Sequence, residues 1–535
     1  MVIRAPGTLR PPTDGQMDGG VRHTGDPRDR SEWGIATILI PIVWLASVAT
    51  AIASRPLLPI DETRYASVAW EMWRNGQYLV PHLNGAPYSD KPPLLFWLIL
   101  AGWRVVGPVE LWARLIGPVC GVASLVLTAA LAKRLWPERG SVSRVAPIVL
   151  AATLVWLVYS TLLLFDTVLT VCVLVAVIGI VDTRRGRTSG LVRIAIGTGL
   201  GILAKGPVVF IHVLPAMLLV AWWDVRRHEP GGLRDTVAPS FRRWPLAVVG
   251  ATLAGVGIAL AWAIPAAVNG GPDYARAIFI GQTAGRVVNS FAHRRPFWWY
   301  VPNLLWMLLP WLVWPVAWSV RRVRWRDMLA RDTGLRLCTA VVVPALVIFS
   351  VVSGKQVHYL LPEMPFVALA IARLVADTAH ASDIDDHTVG PVRWIALAAF
   401  GFLAAVSLVA MHPLHERYDL RPVAAHLSSV ERAGRSIAHE GRYAGQYTFL
   451  GRLRHPLIEI PRDSVGVWLA GHPNGRVVTY ERSPNASGPG VAAVVHRFGD
   501  RFAIVRAASP SGQRPSPAAV RDDRIRHEPP RMENP

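Results

Sequence analysis

Asp61, Glu62, Arg64, Tyr65, Tyr88, Asp90 and Lys91 fall within one polar stretch of an otherwise apolar chain, DETRYASVAWEMWRNGQYLVPHLNGAPYSDKPP, from Asp61 to Pro93. Such a set can do two kinds of chemistry. Its cations can hold a phosphate-sized anion, Arg64 as a bidentate fork and Lys91 as a compact point charge. A carboxylate beside them can take a proton from an attacking hydroxyl, or stabilise positive charge that develops on an electrophile. Three-residue spacing puts Asp61 and Arg64 on neighbouring parts of one helix face. Asp61 can cap that helix, and Asn75-Gly76 is a stop signal. Asn84-Gly85 reads as a turn. Lys91-Pro92-Pro93 forces extended backbone and holds Lys91 just before apolar Leu94. Capping and headgroup anchoring would account for Asp61, Arg64 or Lys91 singly, but they leave the set unexplained.

Further candidates lie at the ends of apolar runs. Asp166 opens one, in Leu-Leu-Leu-Phe-Asp-Thr, where a carboxylate near hydrocarbon is costly and calls for a partner. Lys205-Gly206-Pro207 joins two runs. Lys355 and Tyr359 would stand one turn apart on a helix. Each has a plainer alternative: a helix cap for Asp166, headgroup contact for Lys205, and a snorkelling lysine with an interfacial tyrosine for the last pair.

The elements that must position these residues are membrane helices. The chain has 535 residues, 52% of them hydrophobic, and 22 tryptophans; its mean hydropathy is +0.32. At about 20 apolar residues per crossing, spans are expected at 34–54, 112–132, 145–161, 164–181, 191–205, 207–223, 245–268, 298–319, 337–352, 357–376 and 393–411, about eleven in all. The short run 94–107 reads as an interfacial or re-entrant helix. A formal charge of +20 would suit nucleic-acid binding if it formed one patch. Here the arginines punctuate the spans instead, so nucleic acid is not expected as a partner. Placing the basic loops inside the cell puts the Asp61–Lys91 loop, Asp166, Lys205, the loop 269–297 and Ser353–His358 together on the opposite face. Residues 1–33 read as a disordered cytoplasmic tail, and 34–412 as the transmembrane domain with extracytoplasmic loops 55–111 and 269–297. Residues 413–508 read as a small soluble α/β domain on the extracytoplasmic side, with a helix over Arg421–Ala438 and strands over Val465–Ala470, Arg476–Arg482, Gly490–Arg497 and Arg501–Ala507. Residues 509–535 read as a disordered tail. Cys120, Cys172 and Cys338 all sit in apolar runs and suggest no disulfide framework.

Asp61-Glu62-x-Arg64-Tyr65, followed by Asn84-Gly85-x-Pro87-Tyr88-x-x-Lys91-Pro92-Pro93, resembles the first extracytoplasmic loop of bacterial integral-membrane glycosyltransferases. These are the lipid A aminoarabinose transferases and their relatives in the protein O-mannosyltransferase superfamily, of GT-C architecture. Leu203-Ala204-Lys205-Gly206-Pro207 and Lys355-x-x-x-Tyr359-x-Leu361-Pro362 extend the resemblance over most of residues 35–410. It implies a mostly α, polytopic GT-C fold in the inner membrane with its active site extracytoplasmic, to which the residues after 412 add the small C-terminal α/β domain. It implies a polyprenyl-phosphate-linked sugar as donor and a lipid, glycan or protein as acceptor. Asp61, Glu62 and Asp166 are then the catalytic candidates, and Arg64, Tyr65, Tyr88, Lys91, Lys205, Lys355 and Tyr359 the substrate-binding ones. No cofactor is required. Some relatives hold a divalent metal between an acidic residue beside Lys-Pro-Pro and a histidine before a Pro-aromatic run, which here are Asp90 and His293; Asp90 stands where the aminoarabinose transferases more often show Glu. Two other classes stay open: a polyprenyl-lipid flippase, for which no internal repeat is visible, and a non-catalytic lipid- or glycan-binding partner.

Overall fold

The computed structural model describes residues 27–224, 243–285, 294–314, 325–379 and 389–509. Most of the two expected tails, the basic residues 226–242 and His293 lie outside these. Helices dominate because backbone N–H and C=O groups in hydrocarbon can be paired only within the segment itself. Among the described residues seven helices are long and apolar enough to cross a membrane, and α1 (Pro27–Ala53) precedes them. The difference from the expected number has local causes. The span expected at 145–161 is interrupted: α5 (Gly140–Ala152) ends at an extended Thr153, and α6 covers only Leu154–Tyr159. The span expected at 298–319 contains a helix only over Tyr300–Met307, and its last part is outside the described residues.

One continuous apolar stretch, Ser189–Leu218, is two antiparallel crossings. α7 (Phe165–Arg184) runs first, then α8 (Ser189–Lys205) returns, and α9 (Val209–Leu218) descends again. Lys205 meets Asp166 at the start of α7, whereas Asp224 meets Arg184 at its end. The chain therefore reverses at Gly206, which takes φ 71°, ψ −157°, a backbone that a side chain would strain. The same logic sorts charges by end. Arg134, Arg187 and Arg193 converge on the buried Asp182, and Arg373 holds Asp332. Those arginines lie at the end opposite Lys205.

At the Lys205 end, α2 (Asp61–Asn75) lies after α1 and closes at Gly76 in the left-handed conformation. Its N-cap is Ile60, not Asp61. The Asp61 side chain turns to Arg64 instead and caps nothing. Tyr65, Ala66, Val68, Ala69 and Met72 give the helix one buried face. A short hairpin follows, β1 (His82–Leu83) and β2 (Ala86–Pro87), whose turn residues Asn84 and Gly85 both have positive φ. α3 (Leu94–Val106) spans about 20 Å, too short to cross a bilayer. α4 (Glu110–Leu135) then runs to the arginine end.

After the long helix Val389–Tyr418, a helix over Arg421–Arg432 leads into a five-stranded sheet. Its strands are β3 (Ile437–Glu440), β4 (Ile458–Ile460), β5 (Arg476–Glu481), β6 (Val491–Phe498) and β7 (Arg501–Ala507), in the order β4-β3-β5-β7-β6. The helix expected to reach Ala438 stops where Gly434 takes positive φ, and Ile437 starts a strand instead. The expected strand at Val465–Ala470 is a helix, because Val465 and Leu469, one turn apart, bury on the same side.

Candidate active site

Five separate parts of the chain contribute to one cleft of about 380 Å³. They are Leu58–Glu62, Tyr159–Leu164, the short segment at Arg295, Trp299, and Lys355–His358. α2 supplies Asp61, whose carboxylate is half exposed. Asp61 Oδ1 accepts from the Arg64 guanidinium at 2.6 Å and lies 3.4 Å from the Tyr65 hydroxyl. Burial raises the Tyr65 phenol well above its ordinary value, and the Asp61 charge adds to this. Tyr65 is therefore a fixed O–H donor beside Asp61 at physiological pH. Its ring packs edge-on against Phe165 at 4.9 Å, one residue before Asp166.

Asp166 is buried at the start of α7, where its Oδ1 accepts from Lys205 Nζ at 2.5 Å. His358 Nε2 is 3.9 Å from its other oxygen. Lys205 also lies over the Tyr359 ring, 4.5 Å from the centroid. Lys91 reaches the same neighbourhood, 5.8 Å from the Phe165 ring. His358 feels the charges of Asp166, Lys205, Lys91 and Asp61 together. Asp90 acts electrostatically on Arg64. Tyr88 is buried with its ring edge-on to Phe96, and its N–H donates to Pro81. The expected set Asp61, Arg64, Tyr65, Tyr88, Lys91, Asp166, Lys205 and Tyr359 thus shares one end of the bundle.

Two expected site residues have a different environment from the one anticipated. Glu62 is buried and its carboxylate is fully engaged. It pairs with both terminal nitrogens of Arg55 and accepts the backbone N–H groups of Leu58 and Leu163, each at 2.8 Å. Arg55 in turn donates to the Thr161 carbonyl. Glu62 therefore ties the end of α1, the start of α2 and the strap before α7 together, and it has no free oxygen for chemistry. Lys355 is buried too, with Nζ donating to the carbonyls of Arg295 (3.0 Å) and Val352 (2.5 Å). Its cation sits in the cleft wall and binds Ser353–Lys355 to the segment at Arg294–Arg295, which pairs with it in antiparallel fashion. Sequence reasoning missed Arg55, Arg295 and the part played by His358. Arg55 did carry a signal, a lone cation between an apolar span and Pro56.

The metal expectation rests on Asp90 and His293, and His293 lies outside the described residues. Among the described residues no group of three or more His, Cys, Asp or Glu is placed to hold a metal ion.

α2 is held from its outer side by the C-terminal domain. Ser67 Oγ donates to the Gly445 carbonyl and accepts from Phe449 N–H. Trp70 donates to the Leu453 carbonyl. Asn84 and Leu457 exchange two hydrogen bonds. Phe449 stacks on Trp103 with ring planes 5° apart, and Arg452 lies over the rings of Phe449 and Trp70.

The family model described as dolichyl-phosphate-mannose-protein mannosyltransferase matches residues 90–230. An undecaprenyl phosphate-alpha-4-amino-4-deoxy-L-arabinose arabinosyl transferase from Aeromonas salmonicida is 28% identical over 392 residues, covering 71% of this chain and 67% of the relative. The protein of the same name from Edwardsiella ictaluri is 28% identical over 407 residues, covering 73% and 68%. The chain thus spans about two thirds of the length of these relatives. The crystal structure of ArnT from Cupriavidus metallidurans in the apo state shares the fold, with a TM-score of 0.69 over 90% of this chain and 100% of that one, at 18% identity. The same protein bound to undecaprenyl phosphate gives 0.64 over 90% and 99%, also at 18% identity.

Proposed function

The chain belongs to the GT-C superfamily of integral-membrane glycosyltransferases that holds the aminoarabinose transferases, and from that membership we propose its reaction: transfer of a sugar from polyprenyl phosphate to a lipid phosphate of the lipid A type at the extracytoplasmic face of the inner membrane. The sugar class that the relatives' names carry, a 4-amino-4-deoxypentose, is the first donor to test. The observation that carries the reading is that Asp61 and His358 line one cleft while the Asp166–Lys205 pair stands beside His358, so that α2, α7, α8 and the Ser353–His358 segment bring their charges to one end of the bundle.

In the reaction the bond between the sugar's anomeric carbon and the donor phosphate oxygen breaks, and that oxygen keeps the electron pair. Fixed cations stabilise the charge that collects there without reorganising at the moment of reaction. Lys205, Lys91 and Arg64 take this role, with Tyr359 and Tyr88 at the same end of the bundle. Asp166 holds Lys205 in place. Asp61 faces the anomeric carbon. With a phosphate acceptor no proton need be removed, so Asp61 stabilises positive charge on the sugar ring and orients the acceptor. With a hydroxyl acceptor it would serve as general base. The membrane keeps donor and acceptor at one depth and supplies proximity. Glu62 and Lys355 serve here as supports for the cleft wall.

The test incubates the purified protein with a panel of polyprenyl-phosphate sugars and follows sugar release and acceptor mass by mass spectrometry. Transfer to lipid A-type phosphate is expected. Transfer only to protein or glycan would replace the acceptor, and donor movement across vesicles without turnover would replace the reading by a flippase. Asp61→Asn is expected to lower turnover by about 10²- to 10³-fold while polyprenyl phosphate still binds.

A further inference from the structure

His212 and Glu363 play no part in the contacts above, yet both side chains are fully buried inside membrane-spanning segments. His212 Nδ1 and Glu363 Oε1 are 2.5 Å apart. The remaining polar atoms, His212 Nε2 and Glu363 Oε2, have no hydrogen-bond partner among the described residues. Such a half-satisfied pair is a poor choice for stability alone, since apolar residues of similar volume would pack there at no loss or with a gain. Its position suggests another use. His212 is on α9, just beyond the reversal at Lys205-Gly206-Pro207. Glu363 ends the 3₁₀ turn Val357–Glu363, one turn past Tyr359. Rings also link His212 to Tyr359: His212 to Phe349 at 5.6 Å, and Phe349 to Tyr359 at 5.8 Å. Tyr359 carries Lys205 on its face. The contacts form a closed circuit from Lys205 through α9 to His212, across to Glu363, back along the turn to Tyr359, and again to Lys205.

We propose that the His212–Glu363 hydrogen bond is a positioning contact that fixes the register of α9 against the Val357–Glu363 turn, and so sets Lys205 and Tyr359 for the donor phosphate. The inference rests on the reading of Lys205 as a phosphate-binding cation. The physical reason for a polar pair is direction. Apolar side chains in contact slide past one another at small cost, whereas one hydrogen bond in a low-dielectric interior selects a single register. Displacement of a binding group by 1 Å is enough to cost about 100-fold in rate.

The experiment replaces the pair by an apolar one, His212→Phe with Glu363→Leu, in the full chain in lipid nanodiscs. Thermal unfolding, steady-state kinetics and polyprenyl phosphate binding are read on the same preparations. The unfolding temperature is expected to hold, while kcat falls about 10- to 100-fold and donor affinity weakens. Glu363→Gln keeps an oxygen acceptor for the imidazole N–H and is expected to return to within about threefold of the parent. A folded apolar pair with the parent's kcat and affinity would overturn the proposal. So would a folded Glu363→Gln protein as slow as Glu363→Leu, a comparison that holds even if the double variant does not accumulate. Lys205→Ala separates the two readings. Inactivity there beside a fully active apolar pair sinks only this inference. A fully active Lys205→Ala protein sinks the phosphate reading, and this inference with it.

Discussion

At the scale of single residues, the cleft separates carboxylates by what surrounds them. Asp61 is half exposed and faces open space, with one guanidinium and one phenol beside it. Glu62, its neighbour in sequence, is sealed by Arg55 and two backbone N–H groups. The difference predicts opposite outcomes for adjacent substitutions. Asp61→Asn should leave folding intact and remove turnover. Glu62→Ala would strand Arg55 in a buried site, and breaking such a pair costs about 3–5 kcal/mol. Its expected signature is loss of detergent-stable protein in size-exclusion and thermal-shift assays; a well-folded Glu62→Ala protein that is simply inactive would contradict the supporting role. For Lys205, loss of the cation in Lys205→Ala should appear as a rise in the donor KM together with a fall in kcat, because the charge it offsets grows in the transition state.

At the scale of elements, α2 is the piece on which the site depends, and it is gripped between the bundle and the C-terminal domain. Gly445 marks a close approach. A Cβ there would fall 2.8 Å from a Leu83 methyl, 3.2 Å from Ser67 and 3.3 Å from the Arg64 Cα, and φ is +83°. Gly445→Val is therefore expected to push the domain off α2. Limited proteolysis should then release a fragment near residue 420, and activity should fall although the variant lies outside the cleft. If Gly445→Val is as protease-resistant and active as the parent, the grip on α2 is not needed. The sheet itself was only partly readable. Strands β5, β6 and β7 fall on the strand-like pieces Arg476–Arg482, Gly490–Arg497 and Arg501–Ala507. β3 and β4 are too short, and Val465–Gly471 too ambiguous in period, for local pattern to decide.

At the scale of the whole molecule, the two ends of the helical bundle carry different chemistry. One gathers Arg134, Arg187 and Arg193 on Asp182. The other gathers the cleft. With the arginine end in the cytoplasm, single cysteines at the exposed positions Asn75 and Trp298 should react with an impermeant maleimide in intact spheroplasts. A cysteine at Arg187 should react only after permeabilisation. Label reaching Asn75 and Arg187 from the same side would overturn the topology.

By itself the sequence determined that this chain is a membrane protein, where most of its crossings fall, and which polar residues stand at their ends. Those are consequences of local composition, since hydrocarbon rejects charge and unpaired backbone wherever they occur. Motif resemblance added the superfamily. Only the tertiary structure decided that Asp166 pairs with Lys205, that Glu62 and Lys355 are bound into the cleft wall, and that His212 finds Glu363. Each of those partners is far away along the chain. A carboxylate's role is set by the donors around it in space, and no spacing along the sequence states which donors those will be.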